Sequence, residues 1–487
     1  MKVLLVYPNV SMAVAPQMGL LSLGSALIAK GIDVKISDIT FTSPYKMQKK
    51  IIDDYLKYNP DLIGISCRTM ELPFVTCLVK SLRNIKHKNP KIIIGGPHMT
   101  FAKEELIGYC EWGVIGEGER IICDIVDAIS TGREKYIYEF DNIVYIKDGK
   151  IVQNTLGPLL EMNTVPAPRW ELFDDRHYFK HYALAIKPGA KCACSFEASR
   201  GCPFACSYCS NETLRKLYVG KGIWRREKSL SKLKSEILLF KRQYGLDLIY
   251  FIDEVIMTRD QRTADYRSTF KDLKLPLVFM DRPEYVTEKR AKDMKEAGAY
   301  FASIGIESGD DDYRRKMLNR KMSNANIIES HQILKKNNIK VHSFIMFGLP
   351  EQDEKSMQKS YNLIKKIQPN TAQATTFYPL PGTKLEGYSI EKGYWKRGVY
   401  PTTYYSRTYL QYDNNLKNII ELYCNLINSG IWKKKSINKL IEFFSIRSLV
   451  VSRLIYKYIM LTDALKSRGF IGTFKKVIGK LKNFDKK

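Results

Sequence analysis

KVLLVYP at residues 2–8, VKISD at 34–38, DLIGISC at 61–67 and KIIIGGPH at 91–98 decide how the first third of this chain folds. Each is a near-continuous apolar run of strand length, rich in β-branched residues and ending in Gly, Pro or small polar residues. The segments between them, such as GLLSLGSALIAKG at 19–31, carry helical patterning. Strands apolar on both faces and joined by crossover helices predict a parallel sheet covered on both sides. WGVIGEGE at 112–119 continues the series. Residues 1–135 are therefore expected to form a doubly wound, Rossmann-like domain, whose ligands bind beyond the carboxyl ends of the strands. The strand-end loops hold Tyr7-Pro8-Asn9, Ser66-Cys67-Arg68, Gly95-Gly96-Pro97-His98 and Gly116-Glu117-Gly118-Glu119. A glycine after one strand is an ordinary turn, but four such loops in register predict a shared rim built for close backbone approach.

Outward from that domain, residues 136–190 read as a connector, with a hairpin in YEFDNIVYIKDGKIVQN turning at Asp148-Gly149 and a Pro-rich VPAPRW. From about Cys194 the alternation resumes. SFEASRG, LIYFIDE, LPLVFMDR, YFASIGIES, KVHSFIMFGLPE and NTAQATTFYPLPGT are separated by helical stretches. Six such strands over residues 191–385 are too few for an eight-fold barrel and predict an open or partial (βα)6 barrel. Residues 386–487 lose the alternation and read as mainly helical. The chain is α/β overall.

At 487 residues with 45% hydrophobic and 26% charged side chains, the composition is that of a multidomain globular protein. No run of 18 apolar residues occurs and MKVLLVYPNV lacks signal-peptide features, so a cytoplasmic location is expected. The ten cysteines then stay reduced and point to metals or nucleophiles. Of the net charge of +27, residues 431–487 account for 12, with fifteen Lys/Arg against three acids. Within them, residues 448–487 mix Leu, Ile and Phe with Lys and Arg at intervals that suit amphipathic helices. Such helices fit peripheral contact with an anionic membrane and a lipid-like substrate, a nucleic acid, or a packed helix with a wet face.

Cys202, Cys206 and Cys209 fall at C-x3-C-x2-C spacing on a Pro-bearing loop after the first strand of the second domain. Three soft ligands suit an iron–sulfur cluster, and three thiolates for a [4Fe–4S] group leave one iron open to an exogenous ligand. A structural zinc site would need a fourth ligand that this loop does not supply.

With Tyr208 before the last cysteine, this triplet resembles the signature of the radical S-adenosylmethionine (SAM) superfamily. Asp253-Glu254, Gly305-Ile306-Glu307-Ser308-Gly309, Phe347-Gly348-Leu349-Pro350-Glu351 and Pro379-Leu380-Pro381-Gly382-Thr383 are similar to that family's strand endings. With the four-loop domain in front, residues 1–385 resemble the subfamily with an N-terminal cobalamin (B12)-binding domain. The resemblance implies three cofactors, a [4Fe–4S] cluster, SAM and cobalamin. Cys202, Cys206 and Cys209 would ligate the cluster. Tyr208, Asp253, Glu254, Glu307, Ser308 and Arg320 would meet SAM. Ser66, Gly95, Gly96, His98, Gly116, Glu117 and Gly118 would cradle the corrin. The Asp-x-His-x-x-Gly element that supplies a histidine to cobalt elsewhere is absent, and neither His87 nor His98 has its context.

What this resemblance implies is an enzyme that cleaves SAM reductively to a 5′-deoxyadenosyl radical. Methyl transfer to an unactivated carbon or phosphorus is the leading expectation; cyclisation, rearrangement or carbon–carbon coupling is the alternative. Its partners would be a small-molecule or lipid-like substrate and a low-potential electron donor such as flavodoxin or ferredoxin. A tRNA methylthiotransferase is a second alternative, but that family carries another cysteine triad in its front domain. Cys67, Cys77, Cys110 and Cys123 lack the matching contexts, so nucleic acid is not an expected partner.

Overall fold

The computed structural model describes residues 1–85, 89–405 and 407–433. The amphipathic stretch expected to meet a membrane, and His87, lie outside the described residues.

Strands β1 (Lys2–Tyr7), β2 (Asp33–Asp38), β3 (Leu62–Ser66), β4 (Lys91–Gly95) and β5 (Trp112–Val114) form a parallel sheet in the order β2-β1-β3-β4-β5. The apolar run of β1 divides between two cores: Val3, Leu5 and Tyr7 enter one face, Leu4 and Val6 the other. That is why the run does not alternate with polar residues. The strand order reverses between β1 and β3, the place where a doubly wound sheet opens a crevice.

The expected hairpin forms as β6 (Ile143–Lys147) and β7 (Lys150–Gln153), with Asp148 and Gly149 both at positive φ. Located in what the sequence reads as a connector, it pairs antiparallel with β5 and brings the first sheet to seven strands.

Strand β8 (Ala193–Phe196) opens the second sheet, and a short ribbon of β9 (Ser199–Arg200) and β10 (Arg226–Glu227) follows it. Next come β11 (Leu248–Phe251), β12 (Leu277–Asp281), β13 (Ala299–Glu307), β14 (Lys340–Phe347) and β15 (Thr371–Thr376). These six long strands pair in parallel and in chain order, and β8 does not pair with β15, so the barrel is open. Intervening helices begin at side-chain caps such as Ser229, Thr287, Ser323 and Asp353. The connector seals the two units: Trp170 stacks edge-on against Phe196 and Phe240, and Phe173 against Tyr7. One apolar core thus runs from the first sheet into the barrel.

Beyond the barrel, helices Lys384–Glu391 and Asn414–Asn428 flank an irregular, tyrosine-rich segment. No helix among the described residues is long and apolar enough to cross a membrane.

Candidate active site between the two strand rims

The loops after β3, β4 and β5 meet the loops after β8 and β11 around two adjoining cavities. One, of about 370 Å³, descends between β1, β3, β4 and the helices at Met18–Ala29 and Glu119–Ser130. The other, of about 340 Å³, extends to Ser210, Asn211, Asp253 and Glu254 beside the cysteine loop. Gly96, Pro97, Gly116, Glu117, Glu197 and Arg200 line both.

Glycine is structurally required at two points of this shared wall. Gly96 has φ +94°, and a Cβ there would lie 2.9 Å from the Cys67 amide nitrogen. Gly116 has φ +74°, and its Cβ would strike the Tyr218 hydroxyl, which accepts a hydrogen bond from Glu117 N at 2.8 Å. Ser66 and Gly95 line the first cavity with Gly118, and Ser66 Oγ accepts from Gln17 Nε2 at 3.0 Å. The Gln17 side-chain oxygen Oε1, on the wall of that cavity, is buried without a hydrogen-bond partner. His98 lines neither cavity. Its ring is buried between Thr69 Oγ1 at 3.2 Å and Glu105 Oε2 at 3.5 Å, and burial holds its pKa below the usual histidine value.

An ionic joint crosses the wall. Glu117 binds Arg226 through both carboxylate oxygens, at 2.8 and 2.9 Å, and accepts Leu160 N at 3.0 Å. Arg200 reaches Glu117 at 3.3 Å, Glu119 at 2.6 Å and Glu197 at 3.0 Å. Burial raises the Glu117 pKa, but Arg226 and Arg200 together lower it further, leaving it below the usual carboxylate range.

On the barrel side, the cysteine loop is shaped by Gly201 at φ +91°, where a Cβ would meet the Trp224 carbonyl, and by the Trp224 indole, which donates to Cys202 O at 2.8 Å. Cys206 is buried; Cys202 and Cys209 are half-buried. Burial raises the Cys202 thiol to about 11 and also raises Cys209, and the Cys206 sulfur beside them raises both further. N–H donors are already aimed at two of the sulfurs. Arg282 Nη1 stands 3.1 Å and Arg320 Nη1 3.8 Å from Cys206 Sγ, and Asn211 Nδ2 lies 3.6 Å from Cys209 Sγ.

No three His, Cys, Asp or Glu side chains among the described residues close around a single ion. Three thiols on one short loop, with N–H donors aimed at two of their sulfurs, suit a [4Fe–4S] cluster. A bound metal would hold these thiols deprotonated. The other cysteines make no second triad: Cys67 is buried, Cys77 exposed, Cys110 and Cys123 half-buried, and Cys192, Cys194 and Cys424 are core residues.

The remaining predicted residues divide in two groups. Asp253, buried on the second cavity's wall, accepts from Ala198 N at 3.0 Å and from the Ser199 hydroxyl, while burial pushes its carboxyl up to about 7. Glu254 is exposed beside it and accepts from Asn211 Nδ2 at 3.3 Å. Glu307, at φ +68° on the end of β13, stands 3.9 Å from Arg320, whose Nη1 donates to Tyr208 Oη at 3.0 Å. Ser308 is fully buried, its Oγ accepting from Asp310 N at 3.2 Å within a tight turn.

Arg200, Asn211, Tyr218, Arg226 and Arg282 are site residues that motif reading did not single out. Arg282 had a usable signal, because it closes the strand run LPLVFMDR at a carboxyl end.

Comparison with known proteins agrees with both halves of this geometry. The Radical SAM superfamily matches residues 196–364 and the B12 binding domain matches residues 8–126. This chain is a radical SAM enzyme with a B12-binding domain in front.

Its cofactors are accordingly a [4Fe–4S] cluster, SAM and cobalamin. An uncharacterised methyltransferase of Pyrococcus horikoshii is 29% identical over 408 residues, 80% of this chain and 83% of that protein. An anaerobic magnesium-protoporphyrin IX monomethyl ester cyclase of Rubrivivax gelatinosus is 24% identical over 352 residues, 68% of this chain and 60% of its own. Among solved structures, the radical SAM methyltransferase TsrM of Kitasatospora setae, with tryptophan and a SAM analogue bound, has the same fold. Its TM-score is 0.65 at 17% identity, covering 80% of this chain and 76% of its own.

Proposed function

We propose that this radical SAM enzyme methylates an unactivated carbon or phosphorus of a small molecule. The observation that carries this reading is the common wall: one set of residues bounds both the cavity in the B12-binding domain and the cavity beside the cysteine loop. When bound, the cluster supplies the electron for reductive SAM cleavage and cobalamin supplies a transferable methyl group.

Cys202, Cys206 and Cys209 would hold the cluster. Ser66, Gly95, Gly96, Gly116, Glu117 and Gly118 would meet the corrin with backbone and small side chains, and His98 would brace the loop from behind. Exposed Glu254 offers a carboxylate to an ammonium group, and the Glu307, Arg320 and Tyr208 cluster offers both a cation and a hydroxyl to SAM's polar end. Asp253, with its pKa at about 7, can hold or release a proton at Oδ near neutrality. Buried Cys206, Asp253 and Arg320 form the dry part of this constellation and limit water beside a reactive radical. A low-potential one-electron donor such as flavodoxin or ferredoxin completes the system.

The test supplies the anaerobically reconstituted full chain with SAM labelled CD3 on sulfur and a pooled small-molecule extract. Products carrying the three deuterons are expected, together with 5′-deoxyadenosine. Product without the label, in the presence of 5′-deoxyadenosine, would replace methylation by rearrangement or by cyclisation, the latter being the chemistry named for the Rubrivivax relative.

A further inference from the structure

Charge is distributed unevenly over the three thiols. Cys206 has two guanidinium groups within reach of its sulfur, Cys209 has one neutral amide, and Arg282 makes the shortest of these approaches, at 3.1 Å. Arg282 is 5% exposed and held on every side. Its guanidinium centre sits 3.5 Å over the centroid of Phe204, inside the cysteine loop itself. Nε and Nη2 engage both oxygens of Glu284, the former at 3.3 Å, so the edge of the fork that binds carboxylates is already taken. Its backbone N donates to Asp281 at 2.8 Å, and Asp281 is anchored by the amides of Ile256 and Met257. One N–H is thus aimed at sulfur by a rigid frame. Arg320, by contrast, turns Nη1 to Tyr208 and Nη2 to Gly305 O and stands farther off, at 3.8 Å.

We propose that Arg282 is a positioning residue that tunes the cluster, making it easier to reduce through the Cys206 sulfur. Reduction adds one negative charge to a cluster in a buried setting, and a fixed cationic donor in contact with a ligand sulfur stabilises the reduced form more than the oxidised one. Arginine suits the task because it keeps its charge at every working pH and its planar fork can hold Glu284 and the sulfur at once. Glu284 moderates the effect by partly neutralising the guanidinium.

The inference rests on Cys202, Cys206 and Cys209 holding the cluster, and iron content separates the two claims. Wild type, Arg282→Met and Glu284→Gln are reconstituted anaerobically as full chains, assayed for iron and sulfide, and titrated by electron paramagnetic resonance against redox mediators without SAM. At full iron content, Arg282→Met should lower the ratio of reduced to oxidised cluster at a fixed potential by about tenfold, or ~59 mV for a one-electron couple. Glu284→Gln should shift the ratio the other way. Unchanged ratios in both variants overturn the proposal. So does a Met variant that merely loses iron while Glu284→Gln titrates as wild type. Wild type without a cluster would end the ligand assignment and this inference together.

Discussion

At Asp253 burial and hydrogen bonding oppose each other. Burial raises the carboxyl from the ordinary 3.8 to about 7, even though Ser199 and Ala198 N hydrogen-bond to it and favour the charged form. Below pH 4 both folded and unfolded chains carry the proton. Between about pH 4 and 7 the folded state keeps a proton that the unfolded state has lost, so stability falls as pH rises through that window. The upper bound of the loss is on the order of 4 kcal/mol at 1.36 kcal/mol per pKa unit. Asp253→Asn is neutral throughout, and its denaturant midpoint should vary less between pH 5 and 7.5 than that of the wild type. Parallel pH curves for the two proteins would show that this carboxyl is already ionised in the fold. The same residue marks what side-chain identity reveals at this scale. The acidic ending of LIYFIDE was visible as a strand-end pair, but only tertiary contacts separate buried Asp253 from exposed Glu254. His98 was equally visible in GGPH, and only the turn of the short helix Pro97–Phe101 shows its ring facing Thr69 and Glu105.

Among the elements, β15 depends on a single amide for part of its outer edge. The strand reads TAQATT, with little apolar surface of its own, and its outer side is covered by the helix Asn414–Asn428. Asn428 imitates a neighbouring strand there: Oδ1 accepts from Ala374 N at 2.7 Å and Nδ2 donates to Ala374 O at 3.0 Å. Asn428→Ala leaves both backbone groups unpaired, which costs about 1–3 kcal/mol. Amide hydrogen exchange at Ala374 should accelerate, with much less change in β13. Unaltered exchange there would assign the pairing no weight. Such dependence explains why elements were more legible than their partners. Apolar period and Gly or Pro punctuation predicted the parallel strands of both units. They did not show that the hairpin β6–β7 extends the first sheet, because β5, its partner, has only three residues.

For the whole molecule the question is how the rims of two different sheets stay in register. Chemistry shared across a wall is sensitive to about 1 Å, a misplacement that can cost about 10²-fold in rate. The side chains fixing that register are far apart in sequence: Glu117 and Arg226 are separated by 109 positions, and Glu117 and Arg200 by 83. No local pattern reports such a pairing, which is why the joint was not legible while the cysteine triplet was. Glu117 remains ionised at neutral pH, so its contribution is present above the ordinary carboxylate value and is lost as pH falls through its lowered folded pKa. Glu117→Gln keeps the shape and removes the charge, leaving half-buried Arg226 without its carboxylate, at a cost of about 1.5–3 kcal/mol. The thiols and the Glu307, Arg320 and Tyr208 cluster lie entirely within the barrel. Production of 5′-deoxyadenosine by the variant should therefore fall by less than about threefold, whereas methylated product, which requires both rims, should fall by about 10²-fold. The ratio of the two products, measured with CD3-labelled SAM, reads the joint directly. A parallel fall in both would place Glu117 in the stability of the barrel itself, and the register of the rims would then have to come from the apolar seam at Trp170 and Phe173.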